Sequence, residues 1–293
     1  MKSITIVPAP AEVERLSDGY EFGNATLITY QSTNGEPPAA AQFLQDWLSK
    51  GTGKEFRIAP PSESSTDNPG VQFRQNTGMD EEEYKLRIDA HGVLLEAATD
   101  QGWFHAVQSL RQLFPPACEA QDGTMALPFA LPGILIKDKP SFPWRGLSFD
   151  CCRHFIEKDY LLRLIDLLAY HTFNVLHLHL TEDQGWRLQI DRYPKLTEVG
   201  AYRGKDHYGG FYTKDDIRQI LAHAQARGIL VVPEIEMPGH SRAAIASYPE
   251  LSCHGQSLPV ADQWGVHDDI YCAGKEEPFH FLEGVLEEVL ELF

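Results

Sequence analysis

The segment WRGLSFDCCRHF, Trp144 to Phe155, and its echo NVLHLHLTEDQGW, Asn174 to Trp186, decide how this chain folds. Each is a short apolar run that ends in charged residues. Between them, Asp159 to His171 carries Leu161, Leu164, Ile165 and Leu168 at helical spacing. An apolar strand, a helix and a second such strand make the repeating unit of a parallel α/β sheet or barrel. In such folds ligands sit beyond the carboxyl ends of the strands. Arg153, His154, Glu182 and Asp183 fall there.

The unit continues downstream. A loop from Thr181 to Tyr212 leads to a helix opened by Thr213, with Asp216 three residues on as a capping-box pair. Ile217, Ile220, Leu221 and Ala224 form its apolar stripe, and Gly228 ends it. Ile229 to Ile235 reads as a third strand, nearly continuous in apolar residues, as expected of a parallel strand covered on both faces. Pro233 lacks a ladder donor and marks the strand's end. Phe281 to Phe293 is a last amphipathic helix. The second half is thus β-α-β-α-β-α. A complete eight-fold barrel needs about 250 residues, so this half reads as an open sheet or as about three units of a barrel.

Upstream the texture differs. A helix is expected over Ala39 to Leu48, short strands over Phe56 to Ile58, Val71 to Phe73, Tyr84 to Asp89 and Val93 to Ala97, and a helix over Gly102 to Leu113. Pro60 to Gly70 reads as a polar loop. Pro115 to Pro143 holds six prolines and reads as an extended linker, with the domain boundary near Pro140. The expected organisation is an α+β domain, residues 1–139, followed by residues 140–293 as a partial (β/α)8 barrel.

The totals narrow the function. The 293 residues are 43% hydrophobic and 23% charged, the texture of a globular protein. Lys and Arg number 25 against 42 acids, a net charge of −17. Nucleic-acid partners need cationic surface, so none is expected. No stretch approaches a membrane span, and no signal peptide is evident at the start, so a membrane partner is not expected; the compartment is cytoplasmic by default, with a periplasmic or secreted parent protein left open. The five cysteines include no CxxC pair, and adjacent Cys151 and Cys152 read as small buried residues.

Several clusters bear chemistry. His177 and His179 share one face of a strand, the pattern of paired metal ligands or of packed, hydrogen-bonded histidines. Glu234, Glu236 and His240 follow the third strand, beside Glu182 and Asp183 at the end of the second. Neighbouring strand ends let carboxylates and a histidine converge, and a carboxylate that orients a histidine is common in acid–base sites. Arg153 offers a planar fork suited to hydroxyl pairs or a carboxylate. Trp186 and Trp264 are candidate sugar platforms or core residues. Asp268 and Asp269 read as loop residues more than as a dyad.

Trp144-Arg145-Gly146-Leu147 through Asp150, Arg153-His154-Phe155, HLHLTEDQGWR (His177 to Arg187), PEIEMPGHSRAA (Pro233 to Ala244), YPELSC and WGVHDDIYCAG resemble glycoside hydrolase family 20, the β-N-acetylhexosaminidases, in order and spacing. The resemblance runs from about Trp144 to Phe293, and the preceding region is similar, more loosely, to that family's non-catalytic N-terminal domain. It implies a (β/α)8 barrel that removes terminal β-linked N-acetylglucosamine or N-acetylgalactosamine from glycans, without metal or organic cofactor. Catalysis in this family is substrate-assisted: the acetamido oxygen attacks the anomeric carbon, an Asp steadies the acetamido group and a Glu protonates the leaving oxygen. Arg153 matches the arginine that grips the sugar hydroxyls, and His240 the histidine that sets the protonation of the catalytic Glu. Glu182 matches the acid that supports that histidine. Asp150, His179, Asp183 and Glu236 match polar positions that shape the site.

In the family the Asp-Glu pair follows two glycines at the end of strand four. No Gly-Gly-Asp-Glu occurs here; Gly209-Gly210 precedes Phe211-Tyr212. The expectation is therefore a chain cut before its catalytic acid and inactive alone, dimerising or aggregating through exposed barrel edges. Two other readings stand beside it: a natural truncated protein that binds amino sugars or assembles with another chain, and a metal-dependent hydrolase using His177 and His179.

Overall fold

The computed structural model describes residues 5–23, 26–63 and 70–293. It divides into two compact units: residues 1–143 with 170–172, and residues 144–169 with 173–293.

The first unit is built on a seven-stranded sheet. Its elements are β1 (Glu12–Arg15), β2 (Tyr20–Phe22), β3 (Ile28–Gln31), α1 (Ala39–Thr52), β4 (Ile58–Ala59), β5 (Val71–Gln75), β6 (Tyr84–Asp89), β7 (Gly92–Ala97), α2 (Asp100–Arg111), β8 (Phe129–Leu131) and β9 (Ile134–Asp138). The sheet order is β1-β9-β6-β7-β5-β3-β4, while β2 and β8 form a separate pair. The β6–β7 hairpin is antiparallel, with Leu86 opposite Leu95. In β6, Tyr84, Leu86 and Ile88 point inward and are buried, as the alternation predicts. Helix α2 packs on β6, β7 and α1. Thr99 caps it by accepting a hydrogen bond from the Gly102 amide. Gly53, at φ 66°, closes α1 in the left-handed conformation.

Several expectations need correction here. The proline-rich stretch 115–143 is not simply a linker. It contributes β8 and β9, and β9 lies inside the sheet between β1 and β6. Six prolines outweighed the run Ile134-Leu135-Ile136, yet Pro128 and Pro132 fall outside both strands. Strands β1 to β3 were not anticipated. Helix α1 extends four residues beyond Leu48, α2 is shifted two residues upstream, and the strand expected at Phe56–Ile58 is Ile58–Ala59. The polar loop 60–70 lies mostly outside the described residues.

The second unit is the βα repeat. Strands β10 (Gly146–Asp150), β11 (Val175–His179) and β16 (Leu230–Glu234) form a parallel sheet in the order β10-β11-β16. Gly146 pairs with Val175, Asp150 with His179 and His179 with Glu234, so the three carboxyl ends lie level. Helix α3 (Lys158–Tyr170) follows β10 and α5 (Lys214–Gln225) precedes β16. The capping box is present: Thr213 Oγ1 accepts from the Asp216 amide, and the Asp216 carboxylate accepts from the Thr213 amide. The loop 181–212 is more ordered than expected. It holds two small hairpins, β12 (Thr181–Glu182) with β13 (Gly185–Trp186) and β14 (Tyr202–Arg203) with β15 (Tyr208–Gly209), and the one-turn helix α4 (Lys195–Glu198).

Pro233 sits within β16, opposite Leu178. Among the described residues β16 pairs on one side only, so the missing N–H breaks no ladder bond. Helices α6 (Arg242–Ser247) and α7 (Glu277–Leu292) complete the unit. No described helix is long and apolar enough to cross a membrane.

Candidate active site

The site grows from the level strand ends. Asp150 closes β10, and its Oδ1 accepts hydrogen bonds from the Cys152 and Arg153 amides at 2.8 and 3.1 Å. This turn sends the Arg153 side chain back over the strand. Its Nη1 lies 2.9 Å from Asp150 Oδ2 and its Nη2 2.7 Å from Glu182 Oε2. One guanidinium thus bridges the ends of two neighbouring strands, the use for which a planar fork is suited.

Glu182 is the hub. Its side chain is wholly buried. Oε1 accepts from its neighbour Asp183's amide at 2.8 Å and from His240 Nδ1 at 2.7 Å. Oε2 faces Arg153 and lies 3.3 Å from His179 Nε2. Burial alone pushes the carboxyl up. The His179 ring, the Asp183 amide, His240 and the Arg153 guanidinium outweigh it and pull the pKa down to about 2. Glu182 is therefore a fixed anion, and Nδ1 is the protonated nitrogen of His240.

His179 stands between two carboxylates, its Nδ1 being 3.4 Å from Glu234 Oε2. Burial lowers its pKa, but Glu182, Glu234 and Asp150 prevail and raise it. His177 Nε2 contacts the same Glu234 oxygen at 2.7 Å. The Asp150 carboxyl, pushed up by burial, is held below its usual value by the Arg153 and Cys152 amides and the Arg153 guanidinium. The Glu236 carboxyl is raised by burial and by the Glu234 carboxyl beside it. Its amide donates to Thr181 Oγ1 at 2.8 Å.

Asp183 turns away and organises loops. Its Oδ1 accepts from the Arg242 amide at 3.0 Å and its Oδ2 from the His267 amide at 3.1 Å. Arg242 in turn pairs with Asp269 at 3.4 Å. Beneath these, Arg187 is fully buried and gives hydrogen bonds to the carbonyls of Cys151, Cys152, Ala201 and Gly210. Arg203 donates to the Arg153 carbonyl at 2.5 Å, which steadies the turn carrying the fork.

The seven residues singled out from sequence thus divide. Arg153, Asp150, Glu182, His179 and His240 form one connected array. Glu236 flanks it, and Asp183 acts through backbone. Trp186 is core, with Nε1 bound to the Leu188 carbonyl, because the β12–β13 hairpin turns it inward. Trp264 is exposed and lies 5.7 Å from the His154 ring. Asp269 is committed to Arg242, so Asp268-Asp269 is no dyad. The structural roles of Arg187, Arg203 and Arg242 were not read from sequence. Arg187 lies within the quoted HLHLTEDQGWR motif, but nothing local tells a buried arginine from an exposed one.

Three groups of side chains lie close enough to share a cation: Asp150, Cys152 and His179; His179, Glu182 and Glu236; Glu182, Asp183 and His240. Several of these donors already have other partners. The Cys152 thiol, raised well above its ordinary pKa by burial, donates to the His179 carbonyl at 3.1 Å. Glu182 holds a guanidinium, and Asp183 holds two amides. His177 and His179 both turn toward Glu234 instead of converging as ligands.

A parallel sheet whose strand ends gather an arginine fork, a buried carboxylate and a histidine is an arrangement able to hold a polar, hydroxylated ligand. The comparisons with known proteins narrow it. The family model for the glycosyl hydrolase family 20 catalytic domain matches residues 142–293, and that for domain 2 of the same family matches residues 3–139. A β-hexosaminidase of Porphyromonas gingivalis is 38% identical over 295 residues, covering 100% of this chain and 38% of that protein. One from Vibrio furnissii is 37% identical, covering 99% of this chain and 47% of that protein. A solved β-N-acetylhexosaminidase of Streptomyces coelicolor superposes with a TM-score of 0.88 at 35% identity, covering 98% of this chain and 57% of that one. The chain belongs to glycosyl hydrolase family 20. It spans less than half the length of the two curated relatives.

Proposed function

We propose that this chain forms the sugar-gripping part of a β-N-acetylhexosaminidase, an enzyme that removes terminal β-linked N-acetylglucosamine or N-acetylgalactosamine. On this reading residues 1–139 are the non-catalytic domain and residues 140–293 the first part of the catalytic barrel. The observation that carries it is the Arg153–Glu182–His240 array at level strand ends, at positions that match the family's motifs. Structures of a Streptomyces plicatus hexosaminidase with N-acetylglucosamine and with Thio-NAglucal support the ligand class.

In this scheme Arg153 orients ring hydroxyls, with Asp150 and Glu182 fixing its fork. Glu182 holds His240 so that Nε2 exchanges protons with the acid that protonates the leaving oxygen. The sugar's own acetamido oxygen is the nucleophile. The acid and the Asp that steadies the acetamido group follow paired glycines in the family, and the 293 residues contain no such motif. A polypeptide of these 293 residues alone is therefore proposed to bind the amino sugar without turning it over. A general acid is worth about 10²–10⁴-fold. The test pairs calorimetry with N-acetylglucosamine and an assay on an aryl N-acetylglucosaminide. Binding without turnover is expected; turnover, or no binding by a folded chain, counts against the proposal.

A further inference from the structure

Three aromatic rings stand exposed in the loops that follow the carboxyl ends of the parallel strands. His154 follows β10, Tyr208 lies in the β14–β15 hairpin after β11, and Trp264 lies between α6 and α7, after β16. Trp264 is 74% exposed and Tyr208 42%, and His154 is exposed between them. The rings lie in series. The His154 centroid is 5.7 Å from that of Trp264 and 6.3 Å from that of Tyr208. A single exposed aromatic needs no explanation; a contiguous run of rings from three separate loops does.

One buried framework fixes all three. Arg203 Cζ lies 5.2 Å from the Tyr208 ring centroid. Its Nη2 donates to the Arg153 carbonyl at 2.5 Å, the peptide that leads into His154. Its Nη1 donates to the Gln184 carbonyl at 3.3 Å. The buried Gln184 side chain then donates from Nε2 to the Gln263 and Gly265 carbonyls at 3.1 and 3.2 Å, one on each side of Trp264. Pinning the backbone on both sides of a tryptophan costs chain entropy, and here the ring gains no burial in return. Such an ordered, exposed ring is pre-organised for a ligand. Further sheet strands would add beside β10 or β16, along the edges, whereas these rings stand over the end of the sheet where α/β folds take their ligands.

We propose that Trp264, His154 and Tyr208 form an aromatic strip that receives the rest of a β-linked amino-sugar glycan whose terminal residue is gripped by Arg153. The proposal rests on that gripping role, since His154 is the next residue in the chain. A pyranose with equatorial substituents presents a patch of axial C–H groups on its face, which suits an aromatic plane. The spacing of the rings is close to that of successive sugars in a β-linked chain. The strip carries no acid or base chemistry; it favours an oligosaccharide over a single sugar.

The test is calorimetry of the full chain with N-acetylglucosamine and with its β-1,4-linked trisaccharide. The trisaccharide should bind about tenfold more tightly, the worth of one or two aromatic contacts. Trp264→Ala should remove that gain and leave the affinity for the single sugar unchanged, whereas Trp264→Phe should keep most of it. A second readout needs no alanine variant. In wild type the trisaccharide, and not the single sugar, should shield tryptophan fluorescence from iodide, and Trp264→Phe should lose that shielding. Equal affinity for the two sugars, an equal loss of both in Trp264→Ala, or no shielding by a bound trisaccharide would overturn the strip and leave the Arg153 reading standing. Binding of neither sugar by the folded chain would overturn both.

Discussion

Glu182 Oε1 lies 2.7 Å from His240 Nδ1, and the same carboxylate pairs through Oε2 with the Arg153 guanidinium. The oxygen that fixes the histidine and the oxygen that pairs with the arginine thus belong to one buried anion. Its pKa is depressed from 4.5 to about 2. A carboxyl depressed on folding adds stability above its unfolded value, and that stability is lost as pH falls toward the folded value. Between about pH 6 and about pH 2 the protein should lose on the order of 3 kcal/mol through this group. Urea midpoints across that window should fall less steeply in Glu182→Gln than in wild type. Equal slopes would show that Glu182 is not the group responsible.

Arg153→Lys separates charge from geometry. A lysine ammonium keeps the charge but cannot span Asp150 and Glu182 as a planar fork. Affinity for N-acetylglucosamine should fall by about tenfold or more, the loss expected when a charge-assisted hydrogen bond goes. Melting temperature should change little, because Arg153 is partly exposed. Calorimetry with unchanged affinity would remove Arg153 from the binding role.

Gly185 and Arg187 form a mutually dependent pair. A Cβ on Gly185 would stand 2.2 Å from Arg187 Nη2 and 2.3 Å from Cζ. That guanidinium cannot swing aside, since it satisfies four backbone carbonyls in the interior. Arg187→Met should cost about 3–5 kcal/mol through stranded carbonyls. Gly185→Ala should come close to it, although it removes no contact. Denaturant midpoints check both, and a near-neutral Gly185→Ala would mean that the arginine is free to move.

What was legible in the sequence follows from how local the signal is. The β10-α3-β11 unit and α5 announced themselves through strand-like runs, helical spacing and a capping box, each contained in a short window. Arg153, Glu182 and His240 were legible because strand ends in a parallel sheet are forced together whatever lies between them. Strand β9 was missed because its reading depends on distant partners: Ile134 to Asp138 is held by β1 on one side and β6 on the other. Arg187, and the way Asp183 holds its loops, were opaque for a related reason. Their partners are backbone groups, which carry no residue identity to read.

His240 sits at φ 52°, in the left-handed region that a non-glycine residue occupies at a cost. Its Glu182 hydrogen bond and the neighbouring Ser241 and Arg242 contacts hold it there. Two truncations distinguish backbone strain from side-chain pairing. His240→Ala loses the hydrogen bond and keeps the strain, whereas His240→Gly loses the same bond and relieves it. Glycine is ordinarily the less stable of the two by about 0.5–1 kcal/mol, through the entropy of the unfolded chain. Here the order should vanish or reverse, with His240→Gly at least as stable as His240→Ala in urea unfolding. Both should bind the sugar alike, since Arg153 and Glu182 are retained. The ordinary order, with glycine clearly weaker, would mean that the turn carries no strain at His240 and that the histidine is placed by its side chain alone.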